Sequence, residues 1–427
     1  MIGVAVGLGN VWRFPYMVGK FGGAPFVLFY IFVVIIIGIP ALMAEWSLGR
    51  YTRQGPVGAF QRAGLPYGRY IGWFFFFIIF VAVGYYTNAV GWVLFHAVAE
   101  LAKAVGIGFN ASQILPPDSG FVLRSFILQL CCTALVILAC VFVLLKGLRR
   151  GIEKSSKFIM PMLLVVLIIL IIRSLTLPGA WEGVQWYILK FELSDLTGEV
   201  MIASLGQAVF SLSLGGTFMV VYGSYMNQKD DLKSNAIFTA FADVTAGLLA
   251  GLAIIPAVFA LGLEPSSGPG LIFFTLPGVF DQIPYGWIFG FLFFAGLFGA
   301  AYLSDVSGYE VLVAGLTDNT SLNRKKAVWL IAGSVLFSAI PPMINMNIFV
   351  PWDLIFGSGM QIMGSLIAII TVGWVIHRAS VLKELGLVSG PNSIPWLYYW
   401  LKFVIPIAIL SVFVWWVLTD VLGIFAL

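Results

Sequence analysis

Two short clusters of small and polar residues interrupt otherwise apolar segments, at residues 5–10 (AVGLGN) and 211–216 (SLSLGG). A helix that opens inside a bilayer frees backbone groups that lipid cannot satisfy, so such a break persists where it lines a cavity or binds a ligand. Freed carbonyl oxygens and the amide oxygen of Asn10 are hard ligands of the kind that alkali cations take. Amides at the start of a half-helix attract a carboxylate. The two clusters therefore predict a cation site beside a carboxylated substrate.

The composition indicates that these clusters belong to a polytopic membrane protein. Of the 427 residues, 60% are hydrophobic and 10% are charged, against about 45–50% and about 25% in a soluble domain. A water-soluble globule is excluded. The net charge of +4 comes from basic residues in short loops, so it indicates topology rather than nucleic-acid binding. The three cysteines lie in one apolar run and suggest no disulfide framework, which leaves the redox compartment open.

Hydropathy predicts eleven membrane spans. They lie at residues 1–21, 24–49, 70–101, 121–145, 157–176, 200–226, 235–262, 284–316, 325–344, 352–377 and 396–422. Most basic residues follow the even-numbered spans, which predicts a multi-pass protein of the plasma (inner) membrane with a cytoplasmic N-terminus and an extracytoplasmic C-terminus. The first span is short and no charged leader precedes it, so we expect the natural N-terminus to lie upstream of Met1.

The two clusters lie five spans apart, and an odd offset inverts the topology of one half relative to the other. The predicted fold is an all-α integral membrane protein of eleven transmembrane helices, with a 5+5 inverted repeat, broken helices 1 and 6, and one C-terminal helix. A single transporter domain then covers residues 1–427, with repeats at about 1–176 and 200–377 and the extra helix at about 396–422. The alternative is that the glycines only allow close helix packing, but their matched positions favour a ligand site.

Specific motifs carry a resemblance to a known family. Residues 3–15 (GVAVGLGNVWRFP), 22–24 (GGA) and 45–50 (EWSLGR) resemble the first two helices of the neurotransmitter:sodium symporter family, in its bacterial amino acid transporter form. Residues 207–216 resemble the broken sixth helix of that family, and residues 324–327 and 352–353 match later landmarks. The resemblance covers essentially the whole chain. It implies sodium-coupled transport of an amino acid by alternating access.

The resemblance also implies a first sodium site that includes the substrate carboxylate. Its protein ligands would be the Ala5 carbonyl, the Asn10 amide oxygen, Ser211 and a polar side chain of helix 7. Counting back from Pro256 puts Ala242 at the helix 7 position, with Asp243 beside it. Because a carboxylate inside a membrane span is costly and by default functional, Asp243 is our candidate; pairing with a buried polar neighbour is the alternative.

The substrate site implied by the resemblance holds a zwitterion. Amides near Leu8 and Gly9 and the Tyr86 hydroxyl would bind its carboxylate, while the carbonyls of Ala5, Phe210 and Ser211 and the Ser213 hydroxyl would bind its ammonium. Gly7 stands where monoamine carriers of the family have an Asp, so a substrate with its own carboxylate is expected. The side-chain pocket would be formed by Ala82, Gly216, Ser304 and Gly308 around Tyr86 and Phe210, which predicts bulky hydrophobic or aromatic substrates.

A second sodium site is where the sequence departs from the family pattern. Carbonyls of Gly3, Val6 and Ala300 are the expected ligands, with hydroxyls from helix 8. Helix 8 can be aligned with the family in two registers, and one of them puts Phe298 and Gly299 at the positions of the family's sodium-binding hydroxyls. The other, which we prefer because it needs no insertion, puts Leu303 and Ser304 there, with Asp305 next to Ser304. One sodium ion is therefore expected, and the second stays open.

Four residues match gates of the family. Arg13 and Asp353 would form an outer gate above the substrate, as a direct or water-bridged ion pair with Phe210 as a lid; the alternative for Arg13 is snorkelling. Tyr225 and Asp318 resemble inner-gate residues whose basic partner would precede this chain. Glu45 matches a buried carboxylate near the helix 6 break, with a structural role.

Two other functions are compatible with parts of the sequence. A proton-coupled or sodium-independent amino acid carrier of the same fold would explain the irregular second site together with Asp243 and Asp305. A membrane enzyme or a non-transporting accessory protein is disfavoured. His96 and His377 are in no metal-ligand or nucleophile arrangement, and an accessory protein does not need the ligand clusters. The expected partners are a small amino acid and the lipid bilayer, without nucleic acid; the oligomeric state is left open.

Overall fold

The computed structural model describes residues 2–263, 272–273, 276–387 and 396–424, and their regular secondary structure is entirely helical. In chain order the helices and their bounds are α1 (Ile2–Ala5), α2 (9–20), α3 (Ala24–Thr52), α4 (Pro56–Arg62), α5 (Gly68–Lys103), α6 (Leu123–Leu145), α7 (Arg150–Leu175), α8 (180–189), α9 (Gly198–Ser211), α10 (Phe218–Ser224), α11 (Leu232–Ala260), α12 (Leu276–Asp281), α13 (Gly286–Asn319), α14 (Arg324–Met343), α15 (Met346–Val375), α16 (Arg378–Glu384) and α17 (Trp396–Val421).

Nine helices of the described residues are long and apolar enough to cross a membrane: α3, α5, α6, α7, α11, α13, α14, α15 and α17. They coincide with nine of the eleven predicted spans, although α15 begins at Met346 rather than at residue 352. Large apolar side chains on their outer faces are exposed, for example Phe32, Phe142 and Ile407. A soluble monomer rarely exposes so much contiguous apolar surface, so these faces are suited to lipid.

The other two predicted spans are each divided into two short helices. Residues 1–21 form α1 and α2, separated at Val6 and Gly7, and residues 200–226 form α9 and α10, separated by residues 212–217. The second break contains Ser213 at φ 52° and Gly216 at φ 67°. Left-handed backbone of this kind cannot continue a right-handed helix. The interruptions predicted from the two small-residue clusters are therefore present.

The broken first helix lies between two hydrophobic cores. Val6, Leu8 and Val11 pack into a core built largely from α5, α6, α7, α13 and α14. Ala5 and Phe14 pack instead into a second core formed mainly by α3, α9, α10, α11, α15 and α17. Because consecutive residues of the break belong to opposite cores, its unpaired backbone groups lie at the boundary between them, and the site is built there.

Candidate functional site

A cluster of polar side chains joins the two breaks to α11. The Asn10 amide nitrogen donates to the Ser211 hydroxyl at 3.0 Å and to Asp243 Oδ1 at 2.7 Å, and the Ser211 hydroxyl donates to Asp243 Oδ2 at 2.7 Å. All three side chains are buried. No described basic side chain lies within ion-pair distance of Asp243. A carboxylate buried in this way is a strong ligand for a cation.

The Asn10 side chain also connects this cluster to the backbone of the first break. Its Oδ1 accepts from the Gly7 amide at 2.9 Å, while its Nδ2 is turned toward Ser211 and Asp243. The oxygen and nitrogen of an amide are nearly identical in shape. A half-turn of the amide would therefore point Oδ1 at the same place, beside the Ser211 and Asp243 oxygens. This gives an oxygen-rich site that suits an alkali cation.

A cavity of about 90 Å³ adjoins this cluster. It is lined by ten of the residues predicted to bind substrate, namely Ala5, Leu8, Gly9, Ala82, Tyr86, Phe210, Ser211, Ser213, Ser304 and Gly308. At one end the Leu8 amide donates to the Tyr86 hydroxyl at 3.5 Å, so a backbone N–H and a phenol face the same space. Both groups can donate to a carboxylate placed between them.

Gly7 faces the same end of the cavity. A Cβ added to it would overlap the Ser304 hydroxyl and would lie 3.4 Å from the Tyr86 hydroxyl. An Asp side chain at this position would therefore displace Ser304 and occupy the space in front of Tyr86. The packing of Gly7 against Ser304 is therefore incompatible with an Asp at this position.

Gly216 is not among the residues that line the cavity, in contrast to the other predicted pocket residues. Its amide and that of Gly215 each donate to a carboxylate oxygen of Glu45 at 3.0 Å. A Cβ on Gly216 would collide with the backbone of Gly364. Glu45 thus replaces the hydrogen bonds that the broken helix lacks, as expected for a structural carboxylate, and Gly216 allows close packing of this segment against α15.

At the predicted second ion site, Ser304 is directed toward the first break. Its hydroxyl donates to the Val6 carbonyl at 3.4 Å, whereas Phe298 stacks on Tyr302 at 5.8 Å and Gly299 lies against Ile159. The geometry therefore fits the register that puts Leu303 and Ser304 at the family's hydroxyl positions. Ala300 is buried on the same helix. Gly3 lies close to Leu303 and to the Ser156 hydroxyl of α7, a neighbour that sequence reasoning did not identify.

Arg13 covers Phe210, which lines the cavity. Its guanidinium carbon is 4.1 Å from the ring centroid, and it donates to the Ser358 hydroxyl at 3.1 Å. None of the ion pairs among the described residues joins Arg13 to Asp353, although the two are close enough for electrostatic interaction. Arg13 and the Phe210 lid are thus placed together, with Ser358 as the direct partner of the guanidinium.

The predicted inner-gate residues Tyr225 and Asp318 make separate hydrogen bonds. The Tyr225 hydroxyl donates to Glu310 at 2.8 Å, and Glu310 forms an ion pair with Arg324 at 2.6 Å. Asp318 accepts from the Gly55 amide at 2.7 Å. Glu310 is almost completely buried, so the Tyr225–Glu310–Arg324 contact connects α10, α13 and α14. Sequence reasoning did not assign Glu310 or Arg324 to a gate.

Six residues line the cavity although sequence reasoning did not assign them to it, namely Val83, Tyr85, Phe218, Asp305, Gly357 and Gln361. A sequence signal existed for Asp305, a charged residue within an apolar span, and for Tyr85, the neighbour of Tyr86. Gln361 and Gly357 lie on α15, and they reach the cavity because this helix packs beside the second break. Nothing in the local sequence indicates that contact.

Comparison with known proteins agrees with this geometry. The chain matches the family model for the sodium:neurotransmitter symporter family over residues 1–108 and 123–421. It is 32% identical to an uncharacterized sodium-dependent transporter of Haemophilus influenzae, over 96% of this chain and 94% of that protein. It has the same identity and the same coverage with the uncharacterized sodium-dependent transporter YhdH of Bacillus subtilis.

A solved structure extends the likeness to three dimensions. MhsT in complex with L-phenylalanine superposes with a TM-score of 0.84, at 35% identity, over 97% of this chain and 96% of that one. The rabbit sodium- and chloride-dependent creatine transporter 1 is a more distant relative, 24% identical over 97% of this chain and 74% of that protein. The chain therefore belongs to the sodium:neurotransmitter symporter family and is a multi-pass, sodium-dependent membrane transporter rather than an enzyme.

Proposed function

We propose that this protein is a sodium-coupled symporter of zwitterionic amino acids with bulky hydrophobic or aromatic side chains, and that it works by alternating access. The observation that carries the proposal is the Asn10–Ser211–Asp243 cluster beside the cavity. A buried carboxylate, a hydroxyl and an amide meet there at 2.7–3.0 Å. In this arrangement the Ala5 carbonyl, Asn10, Ser211 and Asp243 bind the first sodium ion.

The amino acid lies next to that ion. Its carboxylate binds between the Leu8 amide and the Tyr86 hydroxyl, which face one end of the cavity. Its ammonium binds carbonyls of the second break and the Ser213 hydroxyl, which also line the cavity. Its side chain lies against Val83, Phe218 and Gly308, which also line the cavity. The similarity to MhsT, which was solved with L-phenylalanine, supports an apolar side chain of this size.

A second sodium ion is proposed at the Gly3, Val6 and Ala300 carbonyls and the Ser304 hydroxyl. The contact between Ser304 and the Val6 carbonyl supports this position, while Leu303 brings no oxygen. We expect this site to be weaker than the first, since it has fewer side-chain oxygens and no carboxylate.

We assign an outer and an inner gate from the contacts described above. Arg13, Phe210 and Asp353 close the outer side, and Tyr225 and Asp318 close the inner side together with Glu310 and Arg324. The proposed topology places the N-terminus in the cytoplasm and the C-terminus outside. In a plasma membrane, the inverted repeat of residues 1–176 and 200–377 would allow the protein to alternate between an outward-open and an inward-open state.

Uptake by the purified protein in proteoliposomes tests this function. Labelled phenylalanine is supplied with external sodium or choline, at pH 6 and at pH 8, and unlabelled glycine, alanine, leucine, phenylalanine and tryptophan are compared as competitors. We expect uptake in sodium only, with the three large amino acids competing best. If uptake is equal in sodium and in choline but differs between pH 6 and pH 8, the result would support the proton-coupled alternative. Better competition by glycine or alanine would refute the predicted substrate size.

Two matched variants connect this assay to the cavity. Tyr86→Phe removes the hydroxyl that faces the Leu8 amide. The apparent KM for the amino acid should rise about tenfold or more, because the loss of a hydrogen bond to a charged group weakens binding by about this factor. Tyr302→Phe removes a hydroxyl that donates to the Ala139 carbonyl, outside the cavity lining, and serves as the control. Equal KM values for the two variants would argue against Tyr86 as a carboxylate ligand.

A further inference from the structure

Asp305 is a buried carboxylate that the proposed sodium sites do not use. It lies on α13 next to Ser304, but the two side chains point in different directions. Ser304 contacts the Val6 carbonyl, whereas Asp305 contacts Thr87 of α5 and Cys140 of α6. Asp305 also lines the substrate cavity, so one of its faces is open to whatever the cavity holds.

The hydrogen bonds that Asp305 receives are few and weak for a carboxylate. Thr87 Oγ1 is 2.9 Å from Asp305 Oδ1, but the single hydroxyl hydrogen is shared with the Val83 carbonyl at 2.7 Å. The other donor is the Cys140 thiol at 3.7 Å, and a thiol is a weak donor. No described basic side chain pairs with Asp305. A buried carboxylate can accept about four hydrogen bonds, so acceptor capacity remains.

Asp305 shares the cavity lining with the apolar residues assigned to the substrate side chain. Val83 and Phe218 form the apolar walls there. A Cβ on Gly308, one turn from Asp305, would lie 2.6 Å from a Val83 methyl carbon and 3.6 Å from the Phe218 ring. Gly308 therefore allows Val83 to pack closely against α13, and the cavity beside them is lined by these apolar groups and by one strong acceptor. A ring in the cavity that lies against these walls presents its edge to the part of the lining that Asp305 contributes.

We propose that Asp305 accepts a hydrogen bond from the substrate side chain, so that aromatic amino acids whose ring carries an N–H or O–H are preferred to rings without a donor. This inference rests on the proposed function and specifies its substrate class. Tryptophan and tyrosine have such donors, and phenylalanine does not. Without a donor, the carboxylate faces an apolar ring and loses hydration without compensation.

The test compares substrates that differ only in the donor. Tryptophan is measured against 3-benzothienylalanine, in which sulfur replaces the indole N–H, and tyrosine is measured against phenylalanine. Apparent affinities come from competition with sodium-dependent uptake of labelled leucine. We expect tryptophan to compete about tenfold or more better than its sulfur analogue, because a hydrogen bond to a charged group has about this value. Asp305→Asn should reduce that ratio severalfold.

Two control variants identify the acceptor. Cys140→Ala removes a donor to Asp305 but leaves the carboxylate and the cavity lining intact, so the ratio should persist. Gln361→Leu removes an uncharged amide that lines the cavity from α15 and should also leave the ratio unchanged. Asp305→Ser provides the same comparison if Asp305→Asn is not recovered as a folded, monodisperse protein.

Each outcome bears on the inference. Equal affinities of tryptophan and its sulfur analogue in the unmodified protein would overturn it while leaving sodium-coupled uptake intact. A ratio that survives in Asp305→Asn, or that disappears in Gln361→Leu, would assign the acceptor elsewhere and would also overturn it. Absence of sodium-dependent uptake for every amino acid would remove the proposed function itself, and the inference with it.

Discussion

Asp243→Asn tests the cation site most directly. The substitution keeps the size of the side chain and removes its charge. Asp243 accepts from Asn10 at 2.7 Å, from Ser211 at 2.7 Å and from Tyr30 at 3.2 Å, and it is completely buried. An Asn side chain has one oxygen for these three donors, so at least one buried donor loses its acceptor.

The loss of charge dominates the expected effect on sodium. Two unit charges about 4 Å apart attract each other by about 4 kcal/mol at an effective dielectric constant of about 20. A difference of about 1.4 kcal/mol changes an equilibrium constant tenfold. The sodium concentration for half-maximal uptake should therefore rise by about two to three orders of magnitude. The unpaired donor adds a loss of folding stability of about 1–3 kcal/mol.

The assay is amino acid uptake at a fixed substrate concentration over a sodium series, with choline keeping the ionic strength constant. Asp231→Asn is the matched control on the same helix, because Asp231 caps the start of α11 through the Lys233 amide and the Ser234 hydroxyl. Asn caps a helix about as well as Asp, so its sodium dependence should be normal. An Asp243→Asn protein with a normal sodium series would refute the assignment of this carboxylate as a sodium ligand.

Three further predictions follow from the same contacts. Asn10→Ala should weaken sodium and amino acid binding together, because coupling between two ligands is reciprocal; amino acid affinity that is the same in sodium and choline buffers would contradict this. Gly308→Ala places a methyl group against Val83, so tryptophan should become a weaker competitor for uptake compared with the amino acid alanine. An unchanged order of competitors would show that the substrate side chain does not bind near Gly308. Arg50→Ala leaves Glu384 buried without its ion-pair partner at 2.7 Å, which costs about 3–5 kcal/mol; thermal unfolding in detergent should show a clear drop in Tm, and Tm equal to that of an Arg62→Ala control would contradict it.

Much of the architecture could be predicted from local sequence. Long apolar runs between basic loops predicted the nine long helices, because a bilayer selects length and hydropathy almost independently of the neighbouring chain. The glycine and serine clusters at residues 5–10 and 211–216 predicted both breaks. The 5+5 inverted repeat and the count of eleven transmembrane helices remain predictions.

Asp243 is a site residue whose position could be predicted from the sequence, whereas the position of Gly216 could not. Asp243 was found because a carboxylate in an apolar span is conspicuous, and the structure brings it to Asn10 and Ser211. Gly216 was expected at the pocket because the resemblance to the family implied a pocket position on helix 6. Its positive φ turns its amide to Glu45 and its Cα to Gly364, a direction that depends on the tertiary path of the break.

By itself the sequence determined that the chain crosses a membrane, where two of its helices open, and which oxygen-bearing residues the openings carry. Each of these follows from residue type and spacing, because lipid penalises any unsatisfied backbone group wherever it occurs. Only the tertiary structure decided that Ser304 rather than Phe298 meets the first break, that Ser358 is the direct partner of Arg13, and that Asp305 faces the cavity. The physical reason is that these contacts join helices distant in sequence, and a helix rotated by one residue turns a side chain about 100° away from its partner.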